Sequence, residues 1–180
     1  ASRGLGDVYK RQGTCLFEGT NLSEGRGTAD PFAILGAPYI QDVEGLAAAF
    51  NQKKLPGILA TPQYFEPTTS KHKGQVCGGV HLHVTDPEAL RPLAAALTLL
   101  ELVRDRHGKE FAFLPPVREG GRPFISLLAG HREFERPGWT AAALLDDMES
   151  IMARSRCLTY EEWRRRPWLH RLIGTVLRPL

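Results

Sequence analysis

The sequence predicts a mixed α/β domain, of the α/β or α+β class, with a small mixed sheet and several helices. Residues 77–85 read CGGVHLHVT, in which apolar and polar positions alternate as on a half-buried strand. Residues 140–154 instead place their apolar side chains at helical spacing. With 42% hydrophobic and 24% charged residues among 180, the chain can bury a core and is not of the disordered class.

The elements of the first half are predicted to be short. Residues 13–38 are rich in Gly, Thr and Pro, so we expect strand ends and loops around short apolar pieces. Asp42 is placed to cap a helix that runs to about Lys53, before a Pro-Gly stop. Residues 58–65 are β-like but are punctuated by Pro62.

The second half is predicted to be mainly helical. The Asp-Pro-Glu run at residues 86–88 is typical of a helix start, and that helix should extend to about His107. Pro92 is then expected to kink its second turn. Residues 111–114 favour a short strand, and residues 124–129 favour a helix that stops at the following glycine.

Charge and cysteine content narrow the class of protein. The net charge is +3, and the arginines concentrate in the last quarter of the chain. No apolar run is long enough to span a bilayer, so stable membrane insertion is not expected. The chain has 3 cysteines, which is an odd number and too few for a disulfide framework.

The first twelve residues are expected to be foreign to the protein. Asp7–Gln12 reads DVYKRQ, which in one codon choice resembles the transposon end used as a sequencing adapter. We therefore expect residues 1–12 to be translated adapter or its neighbour, and the chain to be the downstream part of a longer product. A basic, disordered tail is the alternative explanation.

A polar, glycine-rich stretch, GTCLFEGTNLSEGRGT, contains the candidate catalytic residues Glu18 and Glu24. Buried together with Arg26, one carboxylate would be kept ionised by the arginine, and the pKa of the other would be raised by its like-charged neighbour. Glycoside hydrolysis needs such a proton donor beside a second carboxylate or the substrate's own acetamido group. Asn21 and Thr28 add further hydrogen-bonding groups. The alternative is a polar turn in which a glutamate only pairs with Arg26.

The run Ser70-Lys71-His72-Lys73 matches the Ser-x-x-Lys signature of penicillin-recognising enzymes. That signature needs its serine at a helix start, which the sequence does not predict here. A basic loop over a site is favoured instead, in which Lys71 or Lys73 binds an acidic group of a substrate. A plain solvated loop is the equal alternative.

Cys77, His81 and His83 share one face of the predicted strand if Gly78 and Gly79 do not break the alternation. Two histidines and a thiolate are acceptable zinc ligands, so a metal-dependent hydrolase is an alternative function. No fourth ligand is evident in the sequence. Histidines that face a ligand, or that are hydrogen-bonded in the core, are therefore the favoured interpretation.

The C-terminal sequence WRRRPWLHRLIGTVLRPL carries an apolar stripe flanked by arginines. Such a stripe would suit a membrane surface or an acidic partner, but a basic surface on a docking helix is favoured. Thr159 and Glu162 are spaced as the capping box of this last helix. No recognised nucleic-acid motif accompanies the arginines and tryptophans, so a nucleic-acid partner is not expected.

Two long blocks, in order along the chain, carry a family resemblance. The first is GTCLFEGTNLSEGRGT, followed by Pro-Phe and Gly-Ala-Pro within residues 31–38. The second is PQYFEPTTSKHKGQVCGGVHLHVTD at residues 62–86. Together they closely resemble the exo-acting β-N-acetylmuramidase family of bacterial cell-wall enzymes, over about residues 13–128.

The resemblance implies a larger Rossmann-like N-terminal domain, a smaller C-terminal α/β domain and an active cleft between them. Residues 13–36 would close the N-terminal domain, and residues 37–180 would form the C-terminal one. The implied activity is release of N-acetylmuramic acid from the non-reducing end of peptidoglycan fragments, without a cofactor. A secreted or periplasmic location is implied, and the oligomeric state is left open.

The resemblance also implies roles for single residues. Glu18 or Glu24 would act at the glycosidic oxygen or steer the acetamido group. Arg26 and Lys71 would bind the lactyl carboxylate that distinguishes muramic acid from glucosamine, since Arg–carboxylate pairs give geometry as well as charge. Without an upstream domain, the chain is expected to be inactive alone, and a non-catalytic wall-binding module is a further alternative. The full predicted substrate-binding set is Asn21, Arg26, Thr28, Lys71 and His83.

Overall fold

The structure, a computed structural model, describes residues 11–130 and 132–154. The chain divides into two compact units, Ala1–Leu145 and Asp146–Leu180. The first unit contains the sheet, and of the second unit residues 146–154 are described, as the end of a helix. The predicted capping box at Thr159 and the basic C-terminal sequence lie outside the described residues.

The described chain combines short strands with helices, which confirms the mixed α/β class, but the sheet is antiparallel and not mixed as predicted. Two short 3₁₀ helices, Cys15–Gly19 and Glu133–Glu135, accompany the regular elements. The regular elements in chain order are β1 (Ile34–Ala37), α1 (Val43–Gln52), β2 (Ile58–Phe65), β3 (Cys77–Val84), α2 (Pro92–Arg106), α3 (Phe124–Ala129) and α4 (Ala141–Arg154).

The three strands form one sheet in the order β1-β3-β2, with both pairings antiparallel. The strand predicted at residues 77–85 is confirmed as the central one, Cys77–Val84, and it buries Val80 and Leu82 on one face. The strand predicted at Ile58–Phe65 is also confirmed. It lies at an edge of the sheet, where Pro62 costs little because its missing N–H faces away from the ladder.

The glycines of β3 extend the strand rather than break it. Gly79 lies opposite Gly36 of β1, and a Cβ atom on Gly79 would stand 1.9 Å from the carbonyl oxygen of Leu35. The two backbones therefore approach each other more closely than any side chain would allow. This close approach brings the segment before β1 against the sheet.

Helix α1 begins as predicted. The Asp42 side chain accepts a hydrogen bond from the backbone N–H of Gly45 at 2.9 Å. This N–H lies in the first turn, where no preceding helical carbonyl can accept from it. Leu46 and Phe50 then point into the core from one face. The later helices α3 and α4 also form where the sequence predicted them, and Gly130 ends α3 in the left-handed conformation.

The predicted start of α2 was wrong. The Asp86 side chain caps only a single turn, through the N–H groups of Glu88 and Ala89 at 3.0 and 3.3 Å. The helix itself begins at Pro92, which is the first helical residue and not a kink. A proline fits there because the first turn has no partner for its N–H. The helix ends at Arg106, close to the predicted residue His107.

Two further predictions were wrong in detail. Residues 111–114 form no strand, and only an isolated antiparallel bridge joins Phe113 to Thr20. Leu16 and Phe17 lie in a 3₁₀ helix rather than at a strand end. Both segments are short enough that tertiary contacts, more than local propensity, decide their conformation.

One apolar core joins the sheet to the helices. None of the helices in the described part of the chain is long and apolar enough to cross a membrane. Residues on both sides of the predicted boundary between residues 36 and 37 contribute to this core, and the assignment of residues 13–36 to a neighbouring domain stays a prediction. The largest fully buried side chains of the core include Phe17, Leu22, Leu46, Phe50, Leu82, Leu97, Leu99, Leu100, Ile125 and Leu144.

Candidate active site

The polar stretch is anchored along its length rather than free in solvent. After the 3₁₀ helix, the backbone N–H of Asn21 donates to the carbonyl of Ala112 at 2.9 Å. Two residues on, Ser23 exchanges backbone hydrogen bonds with Gly36 of β1. Leu22, between them, is buried. The charged side chains of this stretch therefore extend from a backbone that is hydrogen-bonded to neighbouring segments on both sides.

Four charged side chains form one network at the surface of this stretch. Glu24 binds Arg26 through Nε at 3.1 Å and Lys71 through Nζ at 2.7 Å. Arg26 also pairs with Glu18 through Nη2 at 2.5 Å. The exposed fraction falls from 45% for Arg26 and 29% for Glu18 to 21% for Lys71 and 3% for Glu24. The network thus runs from solvent to the interior, with Glu24 at its buried end.

The network differs from the carboxylate pair that the sequence predicted. Arg26 binds both Glu18 and Glu24, so a guanidinium bridges the two carboxylates. The hydrogen bond that Arg26 donates to Glu18 raises the pKa of Arg26, so the bridge keeps its charge. Two positive and two negative charges balance here, which lets Glu24 be buried as an ion.

Lys71 reaches the network from a different part of the chain. Its Nζ donates to the carbonyls of Phe17 and Thr20 at 2.8 and 2.9 Å, as well as pairing with Glu24. Burial lowers the pKa of Lys71, and the charge of Glu24 opposes that shift. The sequence predicted that Lys71 or Lys73 would bind an acidic group. The acid that Lys71 contacts in this structure is Glu24, and Lys73 is exposed.

The guanidinium of Arg26 is held in one orientation. It lies over the ring of Phe32, with 5.0 Å from Cζ to the ring centroid. Phe32 itself has a positive φ of 67°, a conformation that aromatic residues rarely adopt. The described contacts of Arg26 with carboxylates use Nε and Nη2, and 45% of the side chain is exposed. An anion could therefore bind Arg26 without displacing either glutamate.

The side chain of Asn21 is hydrogen-bonded to neighbouring segments of the protein. Its Nδ2 donates to the carbonyl of Glu110 at 2.7 Å, and its Oδ1 accepts from the Tyr39 hydroxyl and from the N–H of Ala112, both at 3.1 Å. Burial raises the pKa of Tyr39, so the phenol stays a donor. The structure thus gives Asn21 a clear supporting role, and its predicted contact with substrate stays a prediction.

Thr28 closes a tight turn after the network. Its hydroxyl donates to the carbonyl of Gly25 at 2.7 Å and accepts from the N–H of Asp30 at 3.3 Å. Gly27, one residue earlier, has φ +82°, and a Cβ there would stand 2.4 Å from the backbone nitrogen of Thr69. The Lys71 loop therefore lies directly against this turn. The predicted substrate contact of Thr28 stays a prediction.

The two strand histidines have partners of their own. His83 Nε2 lies 2.8 Å from the Thr61 hydroxyl, and His81 Nε2 lies 2.9 Å from Asp30 Oδ2. Their rings lie in tilted contact, with centroids 4.2 Å apart and an interplanar angle of 41°. This agrees with the favoured interpretation of hydrogen-bonded histidines, and the predicted role of His83 in substrate binding stays a prediction.

The alternative zinc site finds no support in the donor geometry. Among the residues that the structure describes, no group of three or more His, Cys, Asp or Glu could hold a metal ion. Cys77 and His81 are four residues apart on an extended strand, about 13 Å at the usual rise, which is too far for one ion. Burial also raises the pKa of the Cys77 thiol to about 11.

Sequence reasoning assigned no structural role to several residues that shape this site. Ser70 and His72 flank Lys71 with positive φ values of 68° and 58°. His72 Nε2 lies 2.6 Å from the carbonyl of Asn21, and Thr68 bonds the carbonyl of Gly27 through both its N–H and its hydroxyl. Ser70 is exposed in this loop and starts no helix, so the Ser-x-x-Lys signature lacks its required context. The run SKHKG was the one sequence signal that marked the loop.

Comparisons with known proteins agree with this architecture. The family model described as "Exo-beta-N-acetylmuramidase NamZ, C-terminal" matches residues 9–174. The peptidoglycan β-N-acetylmuramidase NamZ of Bacillus subtilis (strain 168) is 43% identical over 107 residues, which cover 59% of this chain and 25% of that protein. The chain thus spans about a quarter of the length of the curated relative that it matches.

A solved structure shares the fold. The crystal structure of a DUF1343 family protein from Bacteroides fragilis NCTC 9343 superposes with a TM-score of 0.53 at 22% identity. The likeness covers 56% of this chain and 26% of that one. Since the family model matches more than half of the chain, the chain belongs to the C-terminal family of exo-β-N-acetylmuramidases of the NamZ type.

Proposed function

We propose that this chain is the C-terminal part of an exo-β-N-acetylmuramidase that releases N-acetylmuramic acid from the non-reducing end of peptidoglycan fragments. The observation that carries the proposal is the family match over residues 9–174, supported by 43% identity to a relative named for this activity. In the longer protein, residues 13–36 would close a Rossmann-like domain and residues 37–180 would form the second wall of the cleft. The proposed partner is a muramic-acid saccharide of peptidoglycan.

The two glutamates receive different parts in this proposal. Glycoside hydrolysis needs a carboxyl group that can reach the glycosidic oxygen. Glu18 is 29% exposed at the end of a 3₁₀ helix, so it can meet a substrate. Glu24 is 3% exposed between two cations, so its part would be to hold the charge balance that keeps Arg26 and Glu18 in place. Both stay candidates for the catalytic set.

Arg26 is the proposed site for the lactyl carboxylate. Its side chain is 45% exposed and carries N–H groups in a planar fork, which suits a carboxylate better than a point charge does. Glu18 and Glu24 hold one edge, and Phe32 supports one face. The guanidinium would therefore be oriented before substrate arrives, which favours muramic acid over glucosamine.

The test uses the longer gene product with its upstream reading frame recovered and a chromogenic N-acetylmuramide as substrate. We expect Glu18→Gln and Glu24→Gln, made singly, each to lower kcat/KM by about 100-fold or more, since the first removes the candidate acid and the second removes the charge that holds Arg26 and Glu18 in place. Glu66→Gln, which changes an exposed glutamate at the end of β2, is the matched control and should act as wild type. Full activity in both glutamine variants would refute the catalytic assignment.

Two outcomes separate the proposal from its alternatives. Loss of turnover after treatment with a chelator, restored by zinc, would favour a metal-dependent hydrolase. Binding of muramyl saccharides without any turnover by the longer product would favour a wall-binding module. Turnover that is insensitive to chelation and lost in the glutamine variants is the expected result.

A further inference from the structure

Lys71 is surrounded by oxygen atoms of the protein. Its ammonium donates to the backbone carbonyls of Phe17 and Thr20, and Glu24 Oε2 stands 2.7 Å away as its ion-pair partner. An ammonium has three N–H donors and no acceptor. With three oxygens within 2.9 Å and an exposed fraction of only 21%, the group has little left to offer a substrate.

The two carbonyls that Lys71 binds bracket Glu18 in the chain. Phe17 precedes Glu18 directly, and Thr20 follows it by two residues, at the end of the 3₁₀ helix. Holding both carbonyls from one nitrogen sets the position of the turn that carries Glu18. The same nitrogen balances the charge of Glu24, which otherwise has Arg26 as its remaining cation in the described network.

The loop around Lys71 is built for this contact. Ser70 and His72 both have positive φ, a conformation that persists in ordinary residues only where the surroundings over-determine it. His72 supplies one anchor, at 2.6 Å from the carbonyl of Asn21. Thr68 supplies another through its two bonds to the carbonyl of Gly27. The side chain of Lys71 is thus aimed at the interior by its own loop.

From this geometry we infer that Lys71 is a positioning residue, which fixes Glu18 and Glu24 and does not contact the substrate carboxylate. The inference rests on the proposed function and replaces the substrate-binding role that the sequence predicted for Lys71. Carboxylate recognition then belongs to Arg26, which is 45% exposed and lies over the ring of Phe32.

The kinetic test compares Lys71→Met with Lys73→Met, an exposed lysine of the same loop, in the longer gene product. Both are assayed below the temperature at which unfolding begins. We expect Lys71→Met to lower kcat about 100-fold, as small displacements of reacting groups do, while KM for the muramide changes less than about threefold. Lys73→Met should match wild type. Lys71→Arg, which keeps a cation, should recover part of the lost kcat.

Two kinetic results would overturn the inference. A rise in KM for the muramide with kcat unchanged, and an equal rise in the inhibition constant of free N-acetylmuramic acid but not of N-acetylglucosamine, would mean that Lys71 binds the carboxylate. An unchanged kcat in folded Lys71→Met, with only a lower Tm, would mean that Lys71 serves the fold alone. If Lys71→Met does not fold, Lys71→Arg supplies the same comparison.

A second arm uses the 180-residue chain itself and needs no activity. In ¹H–¹⁵N spectra, the amides of Glu18 and Asn21 follow the two carbonyls that Lys71 binds, so we expect both signals to shift in Lys71→Met and not in Lys73→Met. Unshifted signals would overturn the inference. If the longer product shows no turnover of muramides even as wild type, the proposed function fails, and this arm still decides whether Lys71 holds the turn.

Discussion

Replacing Gly27 by alanine tests whether the Lys71 loop must lie against the polar turn. Gly27 has φ +82°, and a Cβ there would stand 2.4 Å from the nitrogen of Thr69 and 2.9 Å from the nitrogen of Thr68. Both atoms belong to the backbone, so no rotamer change can relieve the contact. The carbonyl of Gly27 also accepts two hydrogen bonds from Thr68, at 3.0 and 2.8 Å.

The expected loss of unfolding free energy in Gly27→Ala has two separable parts. A left-handed conformation costs an alanine about 1–2 kcal/mol relative to glycine. Forcing an extra methyl into a packed contact adds about 1–3 kcal/mol. Gly74, in the same loop, has φ +72° and open space where its Cβ would lie, so Gly74→Ala carries the first cost alone. We therefore expect Gly27→Ala to lower the free energy of unfolding by about 1–3 kcal/mol more than Gly74→Ala does.

The assay is urea unfolding of the 180-residue chain followed by far-UV circular dichroism, with all variants at one pH and salt concentration. Midpoints are compared at a common slope, since a change of slope would signal a different unfolded state. Equal losses in Gly27→Ala and Gly74→Ala would refute the close approach of the two loops. In the longer product, Gly27→Ala should also lower kcat, because the displaced loop carries Lys71.

Three further outcomes follow from the structure. Asp42→Ala removes the cap of α1 and should cost about 1 kcal/mol in urea unfolding, whereas exposed Gln52→Ala should change stability by less than about 0.5 kcal/mol. The pKa of Cys77 is raised to about 11 in the folded state, so the folded state holds its proton longer than the unfolded chain does. Its contribution to stability is present below about pH 9 and is lost as pH rises towards 11, and Cys77→Ala should flatten the stability profile across that window. Identical pH slopes for wild type and Cys77→Ala would contradict this. The 180-residue chain alone should show no muramidase activity, and measurable turnover would refute the proposal that part of the catalytic cleft lies upstream.

Local patterns predicted most of the secondary structure correctly. The strand at Cys77–Val84 and the helix after Asp42 follow from alternation and from a capping side chain, and both signals act within a few residues. The start of α2 was missed because Asp86 and Pro92 each carry a genuine start signal. Asp86 starts a single turn and Pro92 starts the helix. No rule based on local sequence decides which of the two signals begins the longer element.

The candidate site was predicted only in part. Glu18, Glu24, Arg26 and Lys71 were all named from the sequence, and the structure brings these four together. Their connections were not predictable. Lys71 lies 47 positions from Glu24, and the loop that joins them depends on positive φ values at Ser70 and His72, which carry no sequence mark.

The sequence by itself determined the family, the mixed α/β class and the four residue types of the charged network. These properties depend on residue order and on short-range periodicity, and neither requires a folded chain. Only the tertiary structure decided that Arg26 bridges the two carboxylates, that Asn21 supports the scaffold and that Lys71 faces protein oxygens. The physical reason is that burial and partner geometry arise from contacts between distant segments, and these contacts set what each charge can do.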